Sequence, residues 1–487
     1  MKSIPLVTIQ RQPRIFTGFL FFAMVLSFIL ALAFLMAIEP NDYWWYMRVA
    51  REMLATGTIP TVDHLSYTQA GTPLTYQTWL ASLVFLGTYQ AGGVLLTGLL
   101  RGLLVGVFYL FVWLNLREAG AGPKLAALTL LLAALTGSNN WAMRPQLFAY
   151  PLFAISLWAL SAWQRGENRR LWLLPALAAL WINLHASYPL LFLLVGAALL
   201  VGKGDRRRLL LAAGLSLAAT CLNPKGPAEW GHTLELMRNP AIIQFSKEWQ
   251  PPVNTGWQMN LFFTWLLACV PLAVFAAKKF SVLEWLWFLS LGWMALSGLR
   301  YGIWFTVLLA LLSARALAGW ANRTIDRPGS FSRPVPNLAL GTALLLLPLA
   351  LLPGLRQTWW QAAPPDLSPN TPVAAAAWLA ERPELPGPLW SELIFSSYLA
   401  YALPERPVWV FTQFEIFRPD QLQRYQEISQ AAWNWEALLQ QEGIRLLLLS
   451  RNDQAELVRA VQAAPAWAEV YGDPVAVIFV WRSQGGP

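Results

Sequence analysis

The chain has 487 residues, of which 56% are hydrophobic and only 13% charged. Soluble globular domains carry about 25% charged residues, so this composition excludes an ordinary soluble protein and indicates many membrane spans. The net charge of +9 lies in short loops between apolar runs, where Lys and Arg set orientation; membrane lipids are expected partners and nucleic acid is not.

The first apolar run, 15–38, exceeds the roughly 20 residues needed to cross a bilayer. It is too long for a signal-peptide core and no small-residue cleavage site follows it, so it is expected to remain as a span. Next comes Glu39-Pro40-Asn41-Asp42-Tyr43-Trp44-Trp45. Asp42 has two readings: an acid capping a helix that begins near Tyr43, or a catalytic carboxylate at the membrane surface that orients or deprotonates an attacking hydroxyl. Trp44 and Trp45 are candidates to stack on a sugar or a prenyl chain, since indole is apolar with one wet N–H. An amphipathic surface helix carrying Arg48, Arg51 and Glu52 is predicted after them. Asp63 and His64, in the polar stretch after Pro60, either bind substrate or metal or serve turn chemistry.

Further apolar runs fall at 95–116, 125–142, 146–164, 171–184, 187–202, 208–222, 258–277, 281–298, 302–320 and 336–355; the run 77–92 reads either as a span or as an interfacial helix. Lys2, Arg11 and Arg14 place the N-terminus in the cytoplasm, and further basic loops fall near 165–170, 203–208, 278–279 and 323–333. With 77–92 interfacial, eleven spans put every basic loop inside, as the positive-inside rule requires. The outer side then receives Arg144 and Gln146, Asn183 and His185, a long loop 223–257 with Lys225, His232, Lys247 and Glu248, and Arg300. Arg144 faces either a phosphate or an internal carboxylate. His185 caps backbone groups or shares the face of Asp42. Lys225 is a candidate phosphate binder, and Arg300 lies outside against the charge rule, with a planar fork suited to phosphate. Glu248 is the second carboxylate of interest, in a loop long enough to be functional. Cys221 and Cys269 imply no disulfide framework.

Residues 357–487 change in texture. Pro-rich linkers precede strand-like runs at 388–390, 408–412, 445–450 and 475–481, with helical stretches near 371–381, 420–441 and 453–463 and a helix stop at Gly443. The expected architecture is a mainly α, polytopic transmembrane helix bundle of about 11–13 spans with a small C-terminal α/β domain outside the membrane. Residues 1–356 form the membrane domain, with outer loops 39–76 and 223–257, and 357–487 the extracytoplasmic domain.

An acid after the first span, a long outer first loop, a polytopic bundle and an outer C-terminal domain resemble the GT-C-type glycosyltransferases, membrane enzymes that use polyprenyl-phosphate sugars. The likeness is nearer to bacterial proteins related to protein O-mannosyltransferases and the aminoarabinose transferase of lipid A. It rests on Asn41-Asp42-Tyr43-Trp44-Trp45, Thr58-Ile59-Pro60 with Asp63, Arg144-Pro145-Gln146-Leu147-Phe148, Asn183-Leu184-His185, Asn223-Pro224 and Glu248-Trp249. The resemblance implies that Asp42 stands at the position of the catalytic acid and that the donor is a polyprenyl-phosphate-linked sugar; Glu248 is expected to position the acceptor or to help hold a metal. Its setting would be the outer face of a bacterial cytoplasmic membrane. Tyr43 stands where many relatives carry a second acid. No cofactor is certain; a divalent cation is one option, and the metal ligands are unknown. The rival readings are a lipid or glycan transporter or flippase, and a non-catalytic assembly partner on the same fold.

Overall fold

The computed structural model describes residues 14–326, 342, 367–385 and 387–482. Apart from Thr342, the span expected at 336–355 lies outside them. Helix α1 (Arg14–Leu35) has 22 residues, about 33 Å at 1.5 Å per residue, enough to cross the hydrocarbon layer. Its last carbonyls, Met36 O and Ala37 O, accept from the guanidinium of Arg101, a buried charge that closes the helix end inside the bundle. Helix α2 (Asp42–Thr56) follows at once. Its N-cap is Asn41, whose Oδ1 accepts from Tyr43 N at 3.3 Å, so Asp42 is freed from the capping role and sits in the first turn.

Helix α3 (Trp79–Glu118) contains the ambiguous run 77–92. Its 40 residues are two helical segments that meet at a break, where Gly92 and Gly93 both leave helical geometry and Gly93 has φ +55°, a conformation disfavoured by any Cβ. The segment before the break is thus a helix of its own, ahead of the span that begins after Gly93. The bundle continues through α4 (Pro123–Gly137), α5 (Gln146–Gln164), α6 (Leu174–Leu184), α7 (Pro189–Val201) and α8 (Arg206–Ala219). The long loop 223–257 is largely helical, with α9 (Ala228–Arg238), α10 (Pro240–Phe245) and a 3₁₀ turn at Lys247–Trp249. Helices α11 (Gly256–Ala276), α12 (Val282–Ser297) and α13 (Gly302–Ala321) complete it.

Among the described residues, α3, α5, α11 and the stretch Leu299–Ala321 are long and apolar enough to cross a membrane, and Leu20–Leu35, Pro189–Val201 and Val282–Ser297 are shorter apolar helices. On α11, Leu267, Val270, Val274 and Phe275 are all more than two-thirds exposed. Such an apolar outer face suits lipid, not water. Basic loops gather at one end of the bundle: Arg165 and Arg170 both reach Glu118 at the end of α3, Arg170 Nη1 at 2.9 Å. Asp326, after α13, accepts from Lys124 N and Leu125 N at 2.9 and 3.2 Å and so caps α4.

The C-terminal domain holds one four-stranded sheet of order β1-β2-β4-β3: β1 (Leu389–Ser391) parallel to β2 (Leu446–Ser450), which pairs antiparallel with β4 (Ala476–Trp481), itself antiparallel to β3 (Trp467–Gly472). Strand β2 is buried throughout, as its unbroken run of leucines demands. Two sequence expectations change. Residues 408–412 make only isolated bridges, Val408 to Ser66 and to Leu389, because the chain there is a tie between domains. The helix expected over 420–441 is two, Pro419–Ser429 and Trp435–Gln441, parted at Ala431 with φ +52°. Helix Leu393–Ala402 packs on α2: Trp44 lies 5.0 Å from the Tyr398 ring and Arg51 3.7 Å over Tyr401. Ser368 N donates to Ile38 O at 3.0 Å, fixing the domain to the end of α1.

Candidate active site

The N-terminus of α2, the N-terminus of α5 and the 3₁₀ turn Lys247–Trp249 converge at the end of the bundle opposite the basic loops. Arg144 stands between two acids. Its Nε lies 3.3 Å from Asp42 Oδ2, and its Nη1 bonds Glu248 Oε1. The two carboxylates singled out from the sequence are therefore held by one guanidinium, all three partly buried. The contact with Asp42 is electrostatic rather than a well-aligned hydrogen bond: Arg144 Nε and Asp42 Oδ1 are both buried without a hydrogen-bond partner. Asp42 Oδ1 is closed off from solvent, so the oxygen left to meet a substrate hydroxyl is Oδ2, beside Arg144.

Beside this triad is a second cluster. Gln146 Nε2 donates to Arg300 O at 3.3 Å, and Arg300 Nη2 lies 3.4 Å from Gln146 Oε1. The Trp249 ring lies 4.9 Å from the Arg300 guanidinium, a cation–π contact that orients the fork. His185 caps the end of α6 and is fixed by Ser187, whose N–H donates to Nδ1 at 3.1 Å. Burial first, then the Arg300 charge, hold this imidazole well below its usual range. A neutral ring accepting at Nδ1 carries its proton on Nε2. Arg300 Nη2 approaches that Nε2 at 3.5 Å, so two donors aim at one place. That arrangement suits an anion's oxygen.

The other expected site residues take different places. Trp44 and Trp45 are buried to 1% and 3% exposure and cannot stack on a substrate. Trp44 Nε1 donates to Glu39 O at 3.1 Å while its ring packs on Tyr398, and Trp45 Nε1 donates to Thr412 Oγ1 at 3.1 Å, so they join α2 to the C-terminal domain. Asp63 is fully buried. It accepts from Leu65 N at 3.0 Å, Ser66 N at 3.2 Å and Ser66 Oγ at 2.6 Å, the self-bonding that makes Asp a turn former. His64 is half-exposed and pairs with Glu52 at 2.9 Å, away from Asp42. Asn183 is consumed by bracing, accepting from Trp79 Nε1 and donating to Ala179 O and Leu222 O at 2.7–2.9 Å. Lys225 is exposed and bonds Thr75.

Two residues enter that the sequence reading did not select. Glu415, on the outer-domain 3₁₀ turn Phe414–Ile416, accepts from Gln413 Nε2 at 3.0 Å. Burial first, with Asp42 among the further causes, raises its carboxyl, which places a third acid on the α2 end of the site. Tyr46 lies between them, its hydroxyl raised by burial and then by Asp42 and Glu415. Their side chains converge only through domain docking, which no local pattern records.

The donor set does not fit a divalent cation well. No group of three or more His, Cys, Asp or Glu is arranged to hold a metal among the described residues, and Arg144 already bridges Asp42 and Glu248.

Helix α9 folds back on the 183–189 turn, with Tyr188 and Trp230 rings 4.8 Å apart. Its Glu229 is 3% exposed, and burial, opposed by Lys225, pushes its carboxyl from 4.5 up to about 7. A group that binds its proton more tightly when folded loses stability as pH rises from its unfolded value through its folded one, here from about 4.5 to about 7. Glu229→Gln removes that decline. Melts in detergent are expected to match wild type at pH 4.5 and to exceed it at pH 8; equal melting temperatures at both pH values would contradict the assignment.

No protein-family model and no curated protein matches the chain by sequence. Solved structures do match in fold. The archaeal oligosaccharyltransferase AglB from Archaeoglobus fulgidus, in complex with an inhibitory peptide and a dolichol-phosphate, aligns at TM-score 0.59 and 11% identity over 95% of this chain and 74% of that one. ArnT from Cupriavidus metallidurans, bound to undecaprenyl phosphate, aligns at 0.51 and 15% over 96% and 99%. The arabinofuranosyltransferase AftD from Mycobacteria aligns at 0.54 and 15% over 97% of this chain and 40% of that one. The chain has the fold of the GT-C membrane glycosyltransferases.

Proposed function

We propose that this chain, having that fold, is a membrane glycosyltransferase moving a sugar from a polyprenyl-phosphate donor to an acceptor hydroxyl at the outer face of a bacterial cytoplasmic membrane. The carrying observation is the juxtaposition of Asp42 and Glu248 on Arg144 with the donor pair Arg300 and His185. Acid and anion-binding groups lie side by side, as displacement at a sugar carbon needs.

Asp42 accepts the acceptor's proton as its oxygen bonds to the anomeric carbon. The carbon–oxygen bond to phosphate breaks, and the pair of electrons leaves with the phosphate. Arg300 and the Nε2–H of His185 receive that charge. Glu248 holds Arg144, and Arg144 holds Asp42 in place. An open apolar cavity of about 680 Å3, lined by Trp79, Leu80, Leu180 and Leu222 among others, has Asn183 in its wall, two residues from His185; it suits the prenyl chain. A divalent cation, an option kept by the sequence, would have to displace Arg144 from Asp42 and Glu248, and no step passes through one.

The test is transfer by the purified protein from a panel of polyprenyl-phosphate sugars. Release of polyprenyl phosphate coupled to a new glycosidic bond is expected. Movement of lipid across the bilayer with no bond made would instead favour the flippase reading.

A further inference from the structure

A second cavity, about 580 Å3, opens where the first outer loop meets the C-terminal domain. Tyr67, Thr68 and Gln69 line one wall, and Arg418, Gln421, Arg424 and Glu442 the other. Small-ligand sites have this volume but are mostly apolar; here every lining side chain carries a polar group. Bonds across the joint fix the walls. Thr68 Oγ1 donates to Trp409 O at 2.7 Å, Gln421 Nε2 to Thr68 Oγ1 at 2.8 Å, and Gln69 Nε2 to Gln421 Oε1 at 2.7 Å. Asp63 stiffens the loop behind them through its bonds to Leu65 and Ser66.

Charge at the cavity is balanced. Arg418 bonds Asp420 at 3.0 and 2.8 Å. Arg424 lies 3.6 Å from both Asp420 and Glu442, too far for hydrogen bonds. The lining holds two cations and one carboxylate, and Asp420 beside it engages both guanidinium groups, which reduces the attraction left for an anion. Two polar atoms of the lining, Tyr67 Oη and Arg424 Nε, are buried without a hydrogen-bond partner. Burying such groups unpaired is unfavourable by about 1–3 kcal/mol each; a small turn of either side chain that opens the atom to the cavity lets a ligand hydroxyl pair it.

We propose that this cavity binds a neutral oligosaccharide, whose hydroxyls both donate and accept and so match two amides, two guanidinium groups, a carboxylate and a phenol. The role as acceptor glycan rests on the glycosyltransferase reading; the binding does not. The tie through 408–412 runs from Trp409, which Thr68 holds, to Thr412, which Trp45 holds three residues after Asp42. A saccharide seated there is kept at a fixed remove from the reacting acid, so remote contacts help orient it.

The test is binding of full-length protein in detergent to an array of neutral, carboxylated and sulfated oligosaccharides, using the Asp42→Asn background to exclude turnover. Neutral saccharides are expected to bind. Tyr67→Phe is expected to weaken them about three- to tenfold, the effect of one hydrogen bond, with its melting temperature kept or raised because the buried hydroxyl makes no internal bond. Arg424→Gln is expected to weaken them about tenfold or more. Exclusive binding of anionic glycans, unchanged affinity in both variants, or no binding at all would each overturn the proposal. Saccharide binding without transfer would leave it standing and remove the transferase reading; transfer without saccharide binding here would do the reverse.

Discussion

Asp42→Asn is expected to lower the single-turnover transfer rate by about two to four orders of magnitude, the usual contribution of a positioned general base, and to leave the fold intact. Both halves of that expectation come from the same geometry. Asn41, not Asp42, supplies the N-cap of α2, so an amide at position 42 leaves the helix start in place. What is lost is a first-turn carboxylate facing the helix dipole, about 0.3–1 kcal/mol, and one of the two acids on Arg144, which keeps Glu248. The amide has the shape of the acid but cannot take a proton. The oxygen whose basicity disappears is Oδ2, 3.3 Å from Arg144 Nε, since Oδ1 is closed off from solvent. The measurement is the rate of polyprenyl phosphate release with saturating donor and acceptor, alongside a melting curve. A variant that turns over at the wild-type rate would remove Asp42 from the chemistry and leave it as an ornament of the helix end.

The bundle was legible where a span has sharp ends. The run 146–164 coincides with α5 because Pro145 precedes its first turn and Arg165, on the basic side, ends it. The ambiguity at 77–92 had a local cause, the Gly92-Gly93 pair, which leaves helical geometry and separates the helix over that run from the span after it. Charge placement carried the candidate site a long way: Asp42, Arg144 and Glu248 were singled out from their side of the membrane, and they meet. The residues that misled did so through ambiguous chemistry. A Trp beside an acid fits a sugar platform or a domain joint equally well by composition, and the burial of Trp44 and Trp45 depends on Tyr398, Tyr401 and Thr412, far along the chain. Asp63 carried its own signal, since an Asp followed three residues later by Ser and later by Gly71, at φ +80°, is turn chemistry. Glu415 had no such signal. It reaches the site only because helix Leu393–Ala402 docks on α2 and Asn239, at the start of α10, donates to its carbonyl at 3.2 Å.

Arg300→Ala is expected to reduce turnover by about 10²–10³, the effect of removing one donor that meets charge developing in a transition state, and to weaken inhibition by free polyprenyl phosphate. The size follows from how firmly the fork is aimed. Gln146 bonds both its backbone carbonyl and its guanidinium, Trp249 covers one face, and Arg144 lies close enough to repel it. A cation held near another cation gains most when an anion arrives between them and the neutral His185. Arg300→Lys keeps the charge and loses the planar fork, so an intermediate loss is expected, with the larger share in turnover rather than donor affinity. His185→Ala removes a neutral donor aimed at the same oxygen and is expected to have a smaller effect. Because both donors serve one group, the double variant should lose less than the product of the single losses. The measurement is kcat and donor KM for the three single variants and the double, with polyprenyl phosphate as competitor. Strict multiplicativity would mean that Arg300 and His185 act on different groups, and an unchanged inhibition constant in Arg300→Ala would place the leaving phosphate elsewhere, on Arg144 or Lys225.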